Sequence, residues 1–145
     1  MENHSYNIDL KWENDRKGIL WSPELSTTIE VVTPPEFDQG IANIWSPEHL
    51  FTASVVSCFM TTFLAVTAYS KLDFLSFECN AEGILEKIEG KYLMTKIILK
   101  PTLTLAEFDK IEKAQRVLEK SEAACLISNS IKSEVELKPT INIEN

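Results

Sequence analysis

From Leu50 to Ser70 the chain runs for 21 residues without a charged side chain. A helix of that length could cross a bilayer, whose apolar core takes about 20 residues. Against a membrane, the run carries Thr52, Ser54, Ser57, Thr61, Thr62, Thr67 and Ser70. Its flanks, Glu48 and His49 before and Lys71 and Asp73 after, also lack the basic clustering that orients membrane helices. The sequence predicts instead a core helix, buried on nearly every side. In a chain of 145 residues, one layer of polypeptide hardly encloses such a helix. Burial therefore predicts a second subunit that helps to cover it.

Composition narrows the possibilities further. The length suits a single domain, spanning 1–145. An apolar fraction of 44% is that of a globular protein and excludes wholesale disorder. With 22 carboxylates against 14 Lys and Arg, a net charge of −8 argues against a phosphate-dominated nucleic-acid binder. Cys58, Cys79 and Cys125 form no C-x-x-C pair, and only His4 and His49 could add imidazole. No metal site and no disulfide scaffold is expected from so sparse a set. No glycine-rich phosphate loop, G-x-S-x-G or H-E-x-x-H motif is present, so no cofactor is expected. Met1 to Leu10 lacks the basic start and apolar core of a secretory signal, and the expected location is the cytoplasm.

Along the chain, Tyr6, Ile8, Leu10 and Trp12 alternate as a strand does, and Asn14 to Gly18 supply turn chemistry. Ile19 to Trp21 and Thr27 to Val32 predict two more strands, and Thr33 to Asn43 a loop. Ser46-Pro47-Glu48 is a helix start: a capping hydroxyl, a proline at the first position, and a carboxylate at the positive end of the dipole. Phe74 to Leu99 predicts a hairpin turning at Glu89-Gly90 and closed by Pro101, with Ile84, Ile88, Ile97 and Leu99 among its apolar contributors. Thr104 and Glu107 match a capping box for a helix carrying Phe108, Ile111, Ala114, Gln115, Val117 and Leu118. A second short helix is expected from Ser121, carrying Cys125. Ser133 to Leu137 predicts a last strand that continues past Pro139. The order βββ-α-ββ-α-α-β indicates an α+β fold.

On burial alone, Cys58 in the uncharged helix is a small hydrophobe. Cys125, at the entry to a short helix, meets backbone amides that favour a thiolate. Cys79, between Glu78 and Asn80, has no such support and is expected to be structural. His49 has no Ser or Asp partner at a catalytic spacing, so a capping or surface role is expected. Glu48 complements the helix dipole, and Arg16 is a solvated turn charge.

Two segments together add a further reading. Ser46-Pro47-Glu48-His49-Leu50-Phe51, followed by Ser57-Cys58-Phe59, resembles the "(N/S)PE-x-L" and "(A/S)C" helix of the OsmC/Ohr family. That family comprises osmotically inducible protein C and the organic hydroperoxide resistance proteins. Cys125-Leu126-Ile127-Ser128-Asn129-Ser130 is similar to its second cysteine motif, C-P-x-S-N-(A/S), with Leu126 at the position often held by proline. Pro34-Pro35-Glu36-Phe37 resembles the family's approach to the helix.

The resemblance implies an intertwined homodimer with two long central helices packed between sheets. It also implies thiol-dependent reduction of hydroperoxides, organic ones especially. Cys58 would be the peroxidatic thiol and Cys125 the resolving thiol, with an external dithiol restoring both. By the same resemblance Arg16 would stabilise the thiolate, held by Glu48. Glu48 and Cys58 are roughly 15 Å apart along one helix axis, so a shared site implies residues from two subunits. The alternative is a non-enzymatic OsmC-like protein that binds an apolar ligand near Phe51, Phe59 and Phe63, or senses oxidants.

Overall fold

A computed structural model describes residues 1–144. Its element order is β1 (Asp9–Asn14), β2 (Lys17–Trp21), β3 (Ile29–Val32), α1 (Pro47–Ser70), β4 (Ser76–Ile88), β5 (Lys91–Leu105), α2 (Ile111–Ala124), β6 (Glu134–Leu137) and β7 (Thr140–Ile143). Single 3-10 turns at Phe108–Lys110 and Ser128–Ser130 flank α2. The α+β class is as the sequence predicts. The chain forms two compact units, one up to Leu50 and one from Phe51 onward.

In the first unit β1, β2 and β3 form an antiparallel sheet in that order. Asp15 and Arg16 make the β1–β2 turn, between the paired Asn14 and Lys17, with Asp15 at φ 46°. The register places Leu10 opposite Leu20 and Trp12 opposite Gly18, which puts these residues on one face. Tyr6 and Ile8 precede the strand they were expected to join. The unit ends in the helix start anticipated above: Ser46 Oγ accepts the His49 backbone N–H at 3.2 Å. The same oxygen lies 2.7 Å from His49 Nδ1, so His49 takes the capping role expected of it.

The second unit packs helices on one face of a second sheet. β4 and β5 pair antiparallel through the Glu89-Gly90 turn, where both residues have positive φ, 48° and 82°. Two positive φ values in a two-residue hairpin turn match the twist of the strands, and Gly90 adopts its value without steric cost. β6 and β7 lie end to end along the other side of β5, both parallel to it.

β5 does not stop at Pro101 but runs on to Leu105. β6 pairs up to Leu99 and β7 begins at Thr102, so the proline, which lacks an N–H, falls beside the gap between them. The final strand is likewise two strands, split at Lys138-Pro139. Thr104 is paired in β5 with Ser76 and Asn142, so it cannot cap a helix, and Glu107 precedes the 3-10 turn without a side-chain cap. α2 runs unbroken through Ser121 to Ala124, so no second α-helix starts there.

The core joins Val55, Phe59 and Phe63 of α1 to Ile97, Leu99, Leu103 and Leu105 of β5 and to Ala114, Val117 and Leu118 of α2. Phe63 stacks on Phe77 with ring centroids 4.4 Å apart and also meets Phe74 at 5.2 Å. Gly83 lets α1 approach the sheet: a Cβ there would lie 2.2 Å from Thr52 Oγ1. Ile84 pairs with Lys96 on the sheet's other face, and Ile88 is exposed, so neither joins this core. Phe108 also projects outward, in the 3-10 turn before α2.

By length and composition α1 is apolar enough to cross a membrane. In the fold it buries one stripe, Val55, Phe59, Phe63 and Thr67, spaced four residues apart. Met60 and Leu64, on another face, are exposed. Burial on nearly every side is thus not achieved within one chain.

Candidate active site

The four residues singled out above fall into two pairs, one in each unit. In the first unit Arg16 and Glu48 line one open groove of about 500 Å³, together with Leu10, Trp12 and Phe37. Arg16 reaches it because the β1–β2 turn is fixed behind it, its carbonyl accepting the Thr33 N–H at 3.2 Å. Glu48 reaches it from the first turn of α1. With Asp15 and Lys17 also in its lining, the groove presents charges of both signs and an apolar wall.

In the second unit Cys58 of α1 and Cys125 are near enough for each thiol to shift the pKa of the other. Cys125 ends α2 with extended backbone (φ −65°, ψ 115°), which turns the chain back. The following turn is fixed by Asn129, whose N–H reaches Cys125 O at 3.0 Å and whose Nδ2 donates to Ala123 O at 3.1 Å. Ser130 adds two bonds, N–H to Ile127 O at 3.0 Å and Oγ to Leu126 O at 2.7 Å. These side chains account for the Ser-Asn-Ser part of the motif as local turn chemistry.

The two thiols are driven in opposite directions. Burial, the largest influence on Cys58, raises its pKa. The Ile127 N–H, the Cys125 thiol, the Thr62 hydroxyl and the Leu126 N–H outweigh it, and the net shift is downward. Cys125 is wholly buried, and burial pushes its pKa up. The nearby Ser128 offsets part of that rise, while the neighbouring Cys58 adds to it.

The expectation that local amides would favour a thiolate at Cys125 is therefore corrected. The Leu126 and Ile127 amides act on Cys58, and at Cys125 the Ser128 amide does not outweigh burial, so its net shift is upward. An acidic thiol beside a protonated one can attack an electrophile and then form a disulfide. Cys79, half-buried near the start of β4, is pushed up to about 11 by burial, as befits a structural thiol.

Thr62, Leu126 and Ile127 are site residues that sequence reasoning missed. Thr62 was visible in principle, one helical turn from Cys58 and so on the same face. The N–H groups of Leu126 and Ile127 carry no sequence signal. Phe59 and Phe63, proposed above as ligand-contacting residues, are fully buried core. Among the described residues no cluster of His, Cys, Asp and Glu could hold a metal ion.

Comparison with known proteins agrees with this architecture. An uncharacterized protein of Bacillus subtilis (strain 168), YmaD, is 28% identical over 143 residues, covering 95% of this chain and 93% of its own length. The solved structure of an OsmC-like protein of unknown function from Vibrio cholerae superposes with a TM-score of 0.84 at 22% identity, covering 94% of this chain and 99% of that one. An organic hydroperoxide resistance protein from Elizabethkingia anophelis has a TM-score of 0.78 at 23% identity, covering 99% of each chain. The family described as OsmC-like protein matches residues 40–140, a span that holds both cysteine motifs. The chain belongs to the OsmC-like protein family.

Proposed function

We propose that the protein is a thiol-dependent peroxidase that reduces organic hydroperoxides, and hydrogen peroxide less readily, in defence against oxidative stress. The observation that carries this reading is the polarised pair: Cys58 made acidic beside Cys125 kept protonated. The Cys58 thiolate attacks the terminal peroxide oxygen, an S–O bond forms and the O–O bond breaks. The departing alkoxide takes a proton and leaves as the alcohol. The Cys125 thiol condenses with the resulting Cys58 sulfenic acid, releasing water and closing a disulfide before further oxidation. A dithiol reductant returns both cysteines to thiols by exchange.

The working form is a cytoplasmic homodimer, each chain acting as one domain over 1–145. Neither nucleic acid nor membrane has a part in this reading. Support for the dimer comes from exposed apolar surface on each unit: Leu10 and Trp12, 64% and 71% exposed, and Leu64, 44% exposed. A second copy that covers these faces satisfies the burial requirement of α1. Arg16 and Glu48 of one subunit then serve Cys58 of the other, the guanidinium stabilising the thiolate and the groove's apolar wall accepting the alkyl group.

Turnover measured with a bulky organic hydroperoxide and with hydrogen peroxide, each under a lipoyl dithiol and under glutathione, tests the reading. Faster consumption of the organic substrate, sustained by the dithiol, is expected. Consumption no faster than by a free small-molecule thiol under all four conditions would sink it.

A further inference from the structure

Several hydroxyls of α1 turn back on their own helix. Ser54, Ser57, Thr61 and Thr67 bond back to carbonyls of the preceding turn, those of Phe51, Ala53, Cys58 and Leu64. Thr62 departs from that habit, with its Oγ1 3.9 Å from Cys58 Sγ. Its β-branched side chain has few rotamers in a helix, so the hydroxyl is held beside the sulfur at little entropic cost.

The turn after α2 divides its backbone groups by role. The carbonyls of Cys125, Leu126 and Ile127 accept from Asn129 and Ser130 within the turn. The N–H groups of Leu126 and Ile127 are not used in those bonds, and both favour the ionised form of the Cys58 sulfur. The sulfur is therefore influenced both by a hydroxyl on its own helix, 3.9 Å away, and by amides from a separate element.

We infer that the Thr62 hydroxyl and the Leu126 backbone N–H are positioning donors that hold the Cys58 sulfur as a thiolate from within its own chain, an inference that rests on Cys58 being the reactive thiol. Donors of this kind favour the charged sulfur because a hydrogen bond to an anion is stronger than one to a neutral thiol. They act whether or not a cation from another subunit is present.

The backbone makes Leu126 testable by substitution. Cys125 already has ψ 115°, the extended conformation that a residue before proline adopts. Leu126→Pro thus removes the N–H at a position whose predecessor needs no rearrangement. Leu126→Ala removes the exposed side chain and keeps the N–H. Thr62→Val and Thr62→Ser divide the hydroxyl from the β-branch in the same way. The Cys125 thiol, Glu122 one turn back on α2, and the partner subunit's Arg16 and Glu48 are unaltered in all four variants.

The readout is the pH midpoint of Cys58 alkylation by iodoacetamide in the reduced full-length protein, followed on the Cys58 peptide by mass spectrometry. Thr62→Val and Leu126→Pro are each expected to raise the midpoint by about one pH unit, so that alkylation well below it slows about tenfold. Thr62→Ser and Leu126→Ala are expected to keep the parent midpoint. An unmoved midpoint in folded Thr62→Val and Leu126→Pro overturns the inference, as does a shift in Leu126→Ala equal to that in Leu126→Pro. If the proline prevents folding, an amide-to-ester replacement at position 126 removes the same N–H without the ring and is read by the same criterion. Alkylation needs no peroxide. A parent that shows this pattern but does not reduce hydroperoxides refutes the peroxidase and leaves the donors standing.

Discussion

Cys58→Ser is expected to lower hydroperoxide consumption by on the order of 10³-fold or more, because the hydroxyl that replaces the thiol is not ionised near neutral pH. Cys125→Ser should behave differently. Its Cys58 still has the Thr62 hydroxyl and the Ile127 and Leu126 amides, so the first attack on peroxide persists. Without a resolving thiol the sulfenic acid accumulates, and repeated exposure carries it to sulfinic acid. The first variant should thus show no burst and no turnover. The second should consume one equivalent per site in a burst and then only the further equivalent that slowly forms sulfinic acid, without turnover. Peroxide loss followed by a chromogenic assay, with trapping of the sulfenic acid by a dimedone-type probe, distinguishes the two. A Cys58→Ser protein as fast as the parent would contradict the mechanism at its first step.

The largest effect on stability is expected at Phe63. Its ring is fully buried, stacks on Phe77 and meets Phe74, joining α1 to the start of β4. Phe63→Ala deletes that packing and leaves a cavity between elements too well connected to collapse around it. A loss of about 3–5 kcal/mol is expected, a large share of the 5–15 kcal/mol typical of a folded domain. Leu126→Ala, at an exposed side chain, should stay within about 0.5 kcal/mol. Urea unfolding of the reduced proteins at one fixed protein concentration gives both values, since stability that includes subunit association depends on concentration. Similar midpoints for the two variants would mean that α1 is not anchored through Phe63.

What the sequence made legible was local chemistry. Ser46-Pro47-Glu48 starts α1 because a cap needs only its own neighbours, and Glu89-Gly90 turns the hairpin because its φ values demand it. What the sequence concealed depends on distant partners. Pro101 reads as a strand end until β6 and β7 leave a gap beside it. Thr104 and Glu107 read as a capping box until Ser76 and Asn142 claim Thr104 for the sheet. Phe108 reads as the first apolar residue of α2, yet a 3-10 turn sets it out of phase with the buried stripe.

The candidate site divides in the same way. Spacing and motif brought Cys58 and Cys125 to attention, and the fold brings them near enough for each to shift the other's pKa. Which of the two is acidic was not legible, because the deciding groups are backbone amides that any residue but proline would supply. Arg16 and Glu48 were chosen by resemblance, and the fold places both on one groove of the first unit. The covering of α1 was anticipated from its lack of charge, but only the packing shows that one stripe is buried and another face is left bare.

The central claim is that Cys58 and Cys125 form one redox pair, and peptide mapping after a single equivalent of organic hydroperoxide tests it most directly. The reduced protein, treated, alkylated and digested without reductant, should yield the Cys58 peptide joined to the Cys125 peptide of the same chain, with Cys79 still alkylated. Recovery of Cys58 and Cys125 as separate alkylated peptides, or of Cys58 joined to Cys79, would contradict the account.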